Sequence, residues 1–361
     1  MGADVSGVLA AFGAFVPVWV MSAARPGRPL ETLVLALPQT AGSALYGLVD
    51  VLMTTGHLWQ MLLRRDAWTS PFHVQIASTS ARSFRCGNGV PVSPAVSIQA
   101  NPPADIIIIP ELWLGPDEHL GGRHANVAAW IRERYAGGAY VYSVCSGALL
   151  LAETGLLDGR EATSHWGYQQ LFERRYPQIR FRPEPNLCFS DEVGRLVTAG
   201  GATSWQDLVL HIVSRHVGPD EALRMAKVYL LKTHEEGQLP YRPLVKPQRH
   251  SDSAVRRCEL WLARHFRESH AVARVVAHSG LAERTVKRRF KAATGVTLID
   301  YLQDLRIEEA KRLLESTRRA AEEISAEVGY QDASYFRRLF RRRTGLTPSG
   351  YRRMFQSIRR A

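Results

Sequence analysis

Two stretches of this chain repeat one another at a nearly fixed spacing, and no other feature restricts its fold as tightly. Gly280 pairs with Gly329 at an offset of 49 residues. Phe290 with Phe340, Thr294-Gly295 with Thr344-Gly345, Thr297 with Thr347 and Tyr301 with Tyr351 follow at an offset of 50. Each copy reads as a short helix, a turn bearing glycine, and a second helix rich in Arg and Lys. The first copy is 272–278, Ser279-Gly280-Leu281 and 283–293; the second is 321–328, Gly329-Tyr330-Gln331 and 333–343, with Asp332 suited to cap its last helix. Glycine in the turn permits a positive φ that other residues adopt at a cost. The pattern is that of a helix-turn-helix, which can lay its second helix in a major groove of DNA. Between the copies, 302–316 reads as an amphipathic helix with Leu305, Ala310, Leu313 and Leu314 on its buried side. At 1.5 Å per residue it would span about 22 Å, close to one DNA turn once a unit is added at each end.

Helical spacing splits each second helix into two faces. Val286 and Phe290, like Phe336 and Phe340, are four residues apart and should face the core. The opposite face of the first helix carries Glu283, Arg284, Lys287 and Arg288; that of the second carries Ala333, Ser334, Arg337, Arg338 and Arg341. Arg and Lys donate either to guanine edges or to phosphates, and sequence does not divide them. The charge balance agrees with a polyanionic partner. Residues 250–361 hold 24 Lys/Arg against 13 Asp/Glu, a net +11, while the rest of the chain holds 22 against 21, a net +1.

The N-terminal two thirds obey a different rule. Apolar β-rich runs at 32–37, 72–78, 105–109, 140–144 and 196–199 alternate with helical patterns at 43–54, 124–135, 146–153, 167–176 and 205–216. A further helix, 220–234, closes the region. Ile106–Ile109 is a run of four isoleucines, as expected of a strand buried on both faces. The alternation predicts an α/β domain with a mostly parallel, doubly wound sheet, followed by an all-α domain with two helix-turn-helix units. At 361 residues more than one domain is expected. The expected limits are a leader at 1–30, the α/β domain at 31–244, a proline-bearing connection at 245–253 and the helical domain at 254–361. The apolar stretch 8–21 is interrupted by Pro17, lacks a preceding Lys or Arg, and is too short for a bilayer span; it reads as a leader of uncertain order. Cys86, Cys145, Cys188 and Cys258 lie far apart with no C-x-x-C pair, which argues against a metal site or a disulfide framework and fits a reducing cytoplasm.

The strand 140–144 runs into "CSGALLLAETGLLDG", a tight turn followed at once by a helix. Cys145 then sits at the strand's end, where the helix dipole should lower its pKa, and His165 in "ATSHWGY" lies within possible reach. A cysteine elbow with a nearby histidine is nucleophile geometry. A small side chain fitted to a crowded turn gives the same pattern.

Two resemblances follow from these residues. Residues 254–355, and above all "VGYQDASYFRRLFRRRTGLTPSGYRR", resemble the AraC/XylS family of bacterial regulators. That resemblance implies two helix-turn-helix units held by a linker helix and entering neighbouring major grooves. One departure is Ala282, where the first recognition helix usually begins with a capping Ser or similar residue. Residues 31–244, through "VYSVCSGALLLAETGLLDGREATSHW" and "VTAGGATSWQDLVLHIV", resemble the PfpI-like branch of the class I glutamine amidotransferase-like fold. The pairing of the two domains is similar to the GlxA-like regulators. Enzymes of the fold usually carry an acid just after the first strand, but the matching "LPQTAGSALYG" has none; Glu111 in "IIIIPELWLG" is the available substitute.

The expected function is a sequence-specific DNA-binding regulator that is cytoplasmic, homodimeric and not an enzyme, with double-stranded DNA and a small-molecule effector as partners, no membrane partner, and no metal or cofactor. Cys145 and His165 are then vestigial. Loops at the strands' carboxyl ends should gather Glu111, Trp113, Cys145, Ser146, His165, Trp166 and Trp205 around a small cationic or zwitterionic effector. The alternatives are a Cys-dependent hydrolase or amidase with a DNA-targeting tail, and a DNA-binding protein whose α/β domain only assembles dimers.

Overall fold

The computed structural model describes residues 28–65, 69–245 and 250–356. The expected leader lies almost wholly outside the described residues. The described chain separates into two units, with the division between Gln238 and Leu239.

In the first unit the elements follow in the order β1 (Leu30–Leu35), α1 (Gly42–Thr54), α2 (Leu58–Leu62), β2 (Phe72–Ser78), β3 (Phe84–Arg85), β4 (Pro91–Val92), β5 (Val96–Ser97) and β6 (Ile106–Ile109). Then come α3 (Ala125–Ala136), β7 (Tyr140–Val144), α4 (Gly147–Glu153), β8 (Glu161–Ala162), α5 (Gln169–Arg175), β9 (Arg180–Phe181), β10 (Leu187–Phe189), β11 (Leu196–Ala199), α6 (Trp205–His216) and α7 (Pro219–Tyr229). Seven strands form one sheet in the order β10-β11-β7-β6-β1-β2-β5. Every pairing is parallel except β10 with β11. All four isoleucines of β6 are fully buried, as a central strand requires.

From β1 the chain crosses through α1 to β2 on one side; from β6 it crosses through α3 to β7 on the other. Right-handed crossovers therefore place α1 and α3 on opposite faces, and the sheet is doubly wound. The direction reverses between β1 and β6, the place at whose carboxyl ends ligands of such sheets bind; here the two loops are bridged, Thr40 pairing with Leu112.

Several boundaries differ from the expected ones. β1 begins at Leu30, two residues early, because Leu30 pairs with Phe72 at the start of β2. The segment 167–176 starts as a 3-10 turn, Trp166–Tyr168, before α5, with the His165 ring accepting from the backbone N–H of Gly167. α7 stops at Tyr229 rather than 234, because Leu230 adopts a left-handed φ of 55° that ends the helix without a glycine.

The second unit is helical: α8 (Ser253–His265), α9 (Ala271–Ser279), α10 (Glu283–Thr294), α11 (Leu298–Ser316), α12 (Ala321–Glu327), α13 (Ala333–Thr344) and α14 (Pro348–Gln356). It has two small cores. Val286, Phe290 and Leu302 belong to one; Phe336, Phe340 and Tyr351 belong to the other. The unit begins at Leu239, ahead of the expected limit of the α/β domain at 244. Lys311 Nζ donates to the Arg242 carbonyl at 2.9 Å, Glu308 accepts from the Leu244 N–H at 2.9 Å, and the Tyr241 ring meets Phe355 edge-on. These contacts tie residues 241–244 to α11 and α14.

Candidate functional site

The repeated residues of the helical unit form the same contacts twice. Gly280 ends α9 at φ 69° and Gly329 follows α12 at φ 95°, the left-handed geometry expected of both turns. Phe290 meets Tyr301 edge-on at 5.2 Å between ring centres, and Phe340 meets Tyr351 edge-on at 5.5 Å. The Thr294 hydroxyl donates to the Phe290 carbonyl as the Thr344 hydroxyl does to that of Phe340. The repeat is therefore a packing rule: it fixes where each second helix lies against the next.

With those faces buried, the other face of each helix is left to solvent. Glu283, Arg284, Lys287 and Arg288 on α10 are exposed, as are Ser334, Arg337, Arg338 and Arg341 on α13, while Ala333 is half-buried. Lys287 pairs with Glu283 along α10, and Arg337 pairs with Glu322 on α12. The bridging helix α11 is longer than the expected 302–316. The Thr297 hydroxyl accepts from the Asp300 N–H and starts the helix a turn earlier, so its 19 residues span about 28 Å.

α11 also locks the two halves together. Arg306 donates to the carbonyls of Phe266 at 2.7 Å and Glu268 at 3.0 Å, both beside the first half, and lies over the Tyr330 ring of the second. Arg343 of α13 pairs with Asp300 at 2.8 Å and Asp304 at 3.0 Å. Burial pushes the Asp304 carboxyl up to about 6, against the pull of Arg343. In the first half, Arg289 of α10 makes a two-pronged pair with Asp252, whose side chain also caps α8. That guanidinium, with the capped N–H groups, holds Asp252 down to about 2.

In the first unit, β7 delivers Cys145 in a left-handed conformation, φ 52°, at the entry to α4. The turn is closed so tightly that a Cβ on Gly147 would lie 2.6 Å from the carbonyl oxygens of Ile109 and Pro110, so only glycine fits. Glu111, just beyond β6, brings its carboxylate to 3.7 Å from the Cys145 thiol. The carboxylate beside Cys145 thus comes from the end of β6, the strand next to β7. Cys145 is buried, and burial first, then the Glu111 charge, push its thiol well above the ordinary range. The expected lowering by the helix dipole is overturned: the Ser146 backbone bond is outweighed by desolvation beside a carboxylate. Glu111 is itself raised by burial and lowered by its bond from Cys145.

The other expected site residues have distinct placements. The buried Ser146 hydroxyl donates to the Leu112 carbonyl and accepts from the Leu112 N–H at 2.9 Å, stapling the Glu111 loop to α4. Trp113 is exposed, and its backbone N–H donates to the Gln39 carbonyl, joining the loops after β6 and β1. His165 packs against Trp166 and Tyr168, and the Ser164 hydroxyl before it donates to the Cys145 carbonyl at 2.6 Å. The Trp166 N–H donates to Gln238, whose buried amide also bonds Thr163, Ser164 and Pro185. The Trp205 ring lies against Gly47 of α1, where a Cβ would stand 2.7 Å from it. Sequence reasoning missed Tyr168, which donates to the Leu114 carbonyl and whose hydroxyl is pushed up by burial first and then by the charge at Cys145. Its place three residues after His165 was the available signal.

Residues 275–354 match the helix-turn-helix domain family, and residues 53–215 match the DJ-1/PfpI family. The chain is 28% identical over 222 residues to the HTH-type transcriptional regulator CdhR of Pseudomonas aeruginosa, covering 61% of this chain and 65% of the relative. It is 26% identical over 221 residues to the HTH-type transcriptional regulator GlxA of Rhizobium meliloti, covering 60% and 66%. Both alignments thus span just under two thirds of the relative's length. The isonitrile hydratase of Pseudomonas putida is 30% identical over 192 residues, covering 52% of this chain and 72% of the enzyme. Residues 53–215 thus carry a DJ-1/PfpI-type domain and residues 275–354 a helix-turn-helix domain, a pairing similar to that of the GlxA-like regulators of the AraC type.

Proposed function

We propose that the protein is a sequence-specific, DNA-binding transcription regulator of the cytoplasm, acting as a homodimer on double-stranded DNA. The observation that carries this reading is the pair of exposed basic helix faces, on α10 and α13, held in one frame by α11. Names of relatives support it, since CdhR and GlxA are called transcriptional regulators. Phosphate contacts by the Arg and Lys side chains set register, and base-edge contacts by some of them set sequence preference. The test is affinity for genomic fragments near its own gene at several salt concentrations. A regulator binds one fragment far more tightly than the rest and weakens steeply as salt rises; equal affinity for all fragments, or no salt slope, ends this reading.

The loop cluster around Glu111 and Cys145 is read as an effector site. A half-buried carboxylate with exposed Trp113 beside it suits a small cationic or zwitterionic molecule. A second reading, a Cys-dependent hydrolase or amidase, is favoured by the Cys145 elbow and its Glu111 partner, and by the likeness to isonitrile hydratase. The raised thiol argues for the effector site, because the thiolate is the nucleophile. Cys145→Ala separates the two. It should preserve DNA binding; loss of a measurable hydrolytic turnover on that substitution would replace this reading with the enzyme.

A further inference from the structure

The last residue of the first unit reaches back into the loops that surround Cys145. Gln238 is 4% exposed, and its side-chain amide spans one short loop. Its Nε2 donates to the Ser164 carbonyl at 2.9 Å, and its Oε1 accepts from the Trp166 backbone N–H at 3.2 Å. The amide therefore grips the backbone on both sides of His165. Nε2 also donates to the Thr163 hydroxyl and the Pro185 carbonyl, each at 3.2 Å, so both polar ends of the amide are engaged. From Ser164 the hydroxyl goes on to the Cys145 carbonyl at 2.6 Å. The fit around Gln238 is close. A Cβ on Gly200, just past β11, would lie 2.6 Å from the Gln238 amide, and one on Gly237 would run into the Glu184 carbonyl. Upstream, His234 bonds the buried Asp207 of α6 through both its backbone N–H and its ring, each at 2.7 Å. The segment 234–238 is thus fastened at both ends.

We infer that Gln238 is a positioning residue of the effector site, and that through it the site is coupled to DNA binding. The inference rests on the effector site proposed above and names the side chain that ties it to the rest of the chain. A buried amide holds its loop firmly, because any of these groups left unpaired away from water is costly. An effector that moves His165 or Trp166 stretches or breaks the Gln238 bonds. The loop then has two arrangements, gripped and released, which a ligand can favour unequally. Only Leu239 and Pro240 lie between Gln238 and residues held within the helical unit, where the Tyr241 ring meets Phe355 and the Arg242 carbonyl accepts from Lys311. Proline fixes its own φ, so this two-residue connection has little slack to absorb a displacement of Gln238. The coupling is reciprocal: a ligand that favours one arrangement of the loop changes DNA affinity, and DNA shifts the loop by the same factor.

Reciprocity lets DNA itself serve as the probe. Amide hydrogen exchange of the peptide holding residues 163–167 is measured on the full chain, free and saturated with the genomic fragment it selects. The unmodified chain is compared with Gln238→Met, which fills the space without the amide, and with Thr163→Val, which removes one partner and leaves Gln238 in place. DNA should change the exchange rate of that peptide by about fivefold or more in the unmodified chain. Gln238→Met should abolish the change and Thr163→Val reduce it, while both variants still bind the fragment and keep the exchange pattern of β6 and β7. If Gln238→Met does not fold, Thr163→Val carries the test alone. A peptide indifferent to DNA in the unmodified chain, or a response undiminished in the variants, overturns the coupling and leaves the regulator standing. A chain that selects no fragment overturns the regulator, and this inference with it. The turnover assay on Cys145→Ala judges the effector site separately.

Discussion

The two helix-turn-helix units share one frame but are fastened differently. Phe290 with Tyr301 and Phe340 with Tyr351 are the same contact made twice, yet the capping and the charges around them diverge. α13 opens on Asp332, whose carboxylate accepts from the N–H groups of Ser334 and Tyr335; α10 opens on Ala282, which caps nothing. Where α10 has Arg289 reaching to Asp252, the matching position of α13 is Leu339, buried in its core. Where α13 has Arg343 anchored to Asp300 and Asp304, the matching position of α10 is Ala293. The first unit is thus tied to the start of the domain and the second to the bridging helix. A duplicated fold keeps its aromatic packing while its electrostatic fastenings drift.

The largest expected effect is on DNA affinity. Arg284→Ala and Arg337→Ala should each weaken binding by about 1–3 kcal/mol and relax preference at one base pair if each reads a base, or weaken all sequences alike if it contacts phosphate. Footprints of the two variants decide whether both units engage. Protection confined to one groove and indifferent to Arg284→Ala would make the first unit structural only, and break the symmetry of the comparison.

The next effect separates the two charge latches by pH. Asp304 titrates at about 6 in the fold, above its ordinary value near 3.9, so the folded state holds the proton more tightly than the unfolded chain. Its contribution is full below about pH 4 and is lost as pH rises through 6; Asp304→Asn should flatten this loss, on the order of 1–2 kcal/mol. Asp252, held down to about 2, has the opposite sign: its contribution is present above pH 4 and fades only as pH falls through 2. Melting curves of the protein and of Asp304→Asn between pH 4 and 7 should therefore diverge. Parallel curves would show that the Arg343 latch is not titratable.

The smallest effect concerns the caps. Asp332→Ala should cost about 1 kcal/mol of stability, and Ala282→Ser should recover somewhat less in the first unit. Hydrogen exchange of the first turn of α10 and of α13 reads each cap locally. If Ala282→Ser leaves α10 unprotected, the missing cap is not what distinguishes the units.

Local pattern alone determined the helix-turn-helix units. The glycine turns, the four-residue spacing of Val286 and Phe290, and the Asp332 cap all act between neighbours within one or two turns of chain. The central strands β6, β7 and β11 were legible for a similar reason, since burial on both faces favours a nearly continuous apolar string. Short pieces such as α2 and β8 to β10 were not, because two to five residues are too few to repeat a period. The site in the α/β unit was settled by tertiary structure. Glu111 meets Cys145 across 34 residues of chain, and only the strand order, β6 beside β7, brings them together. The thiol's rise follows from burial, which the CSG turn does not encode. The same holds for residues 241–244, which read as the end of one domain and are held by Lys311 and Glu308 of the other. Periodicity and turn chemistry are written along the chain; desolvation and charge partners depend on what the fold brings from far away.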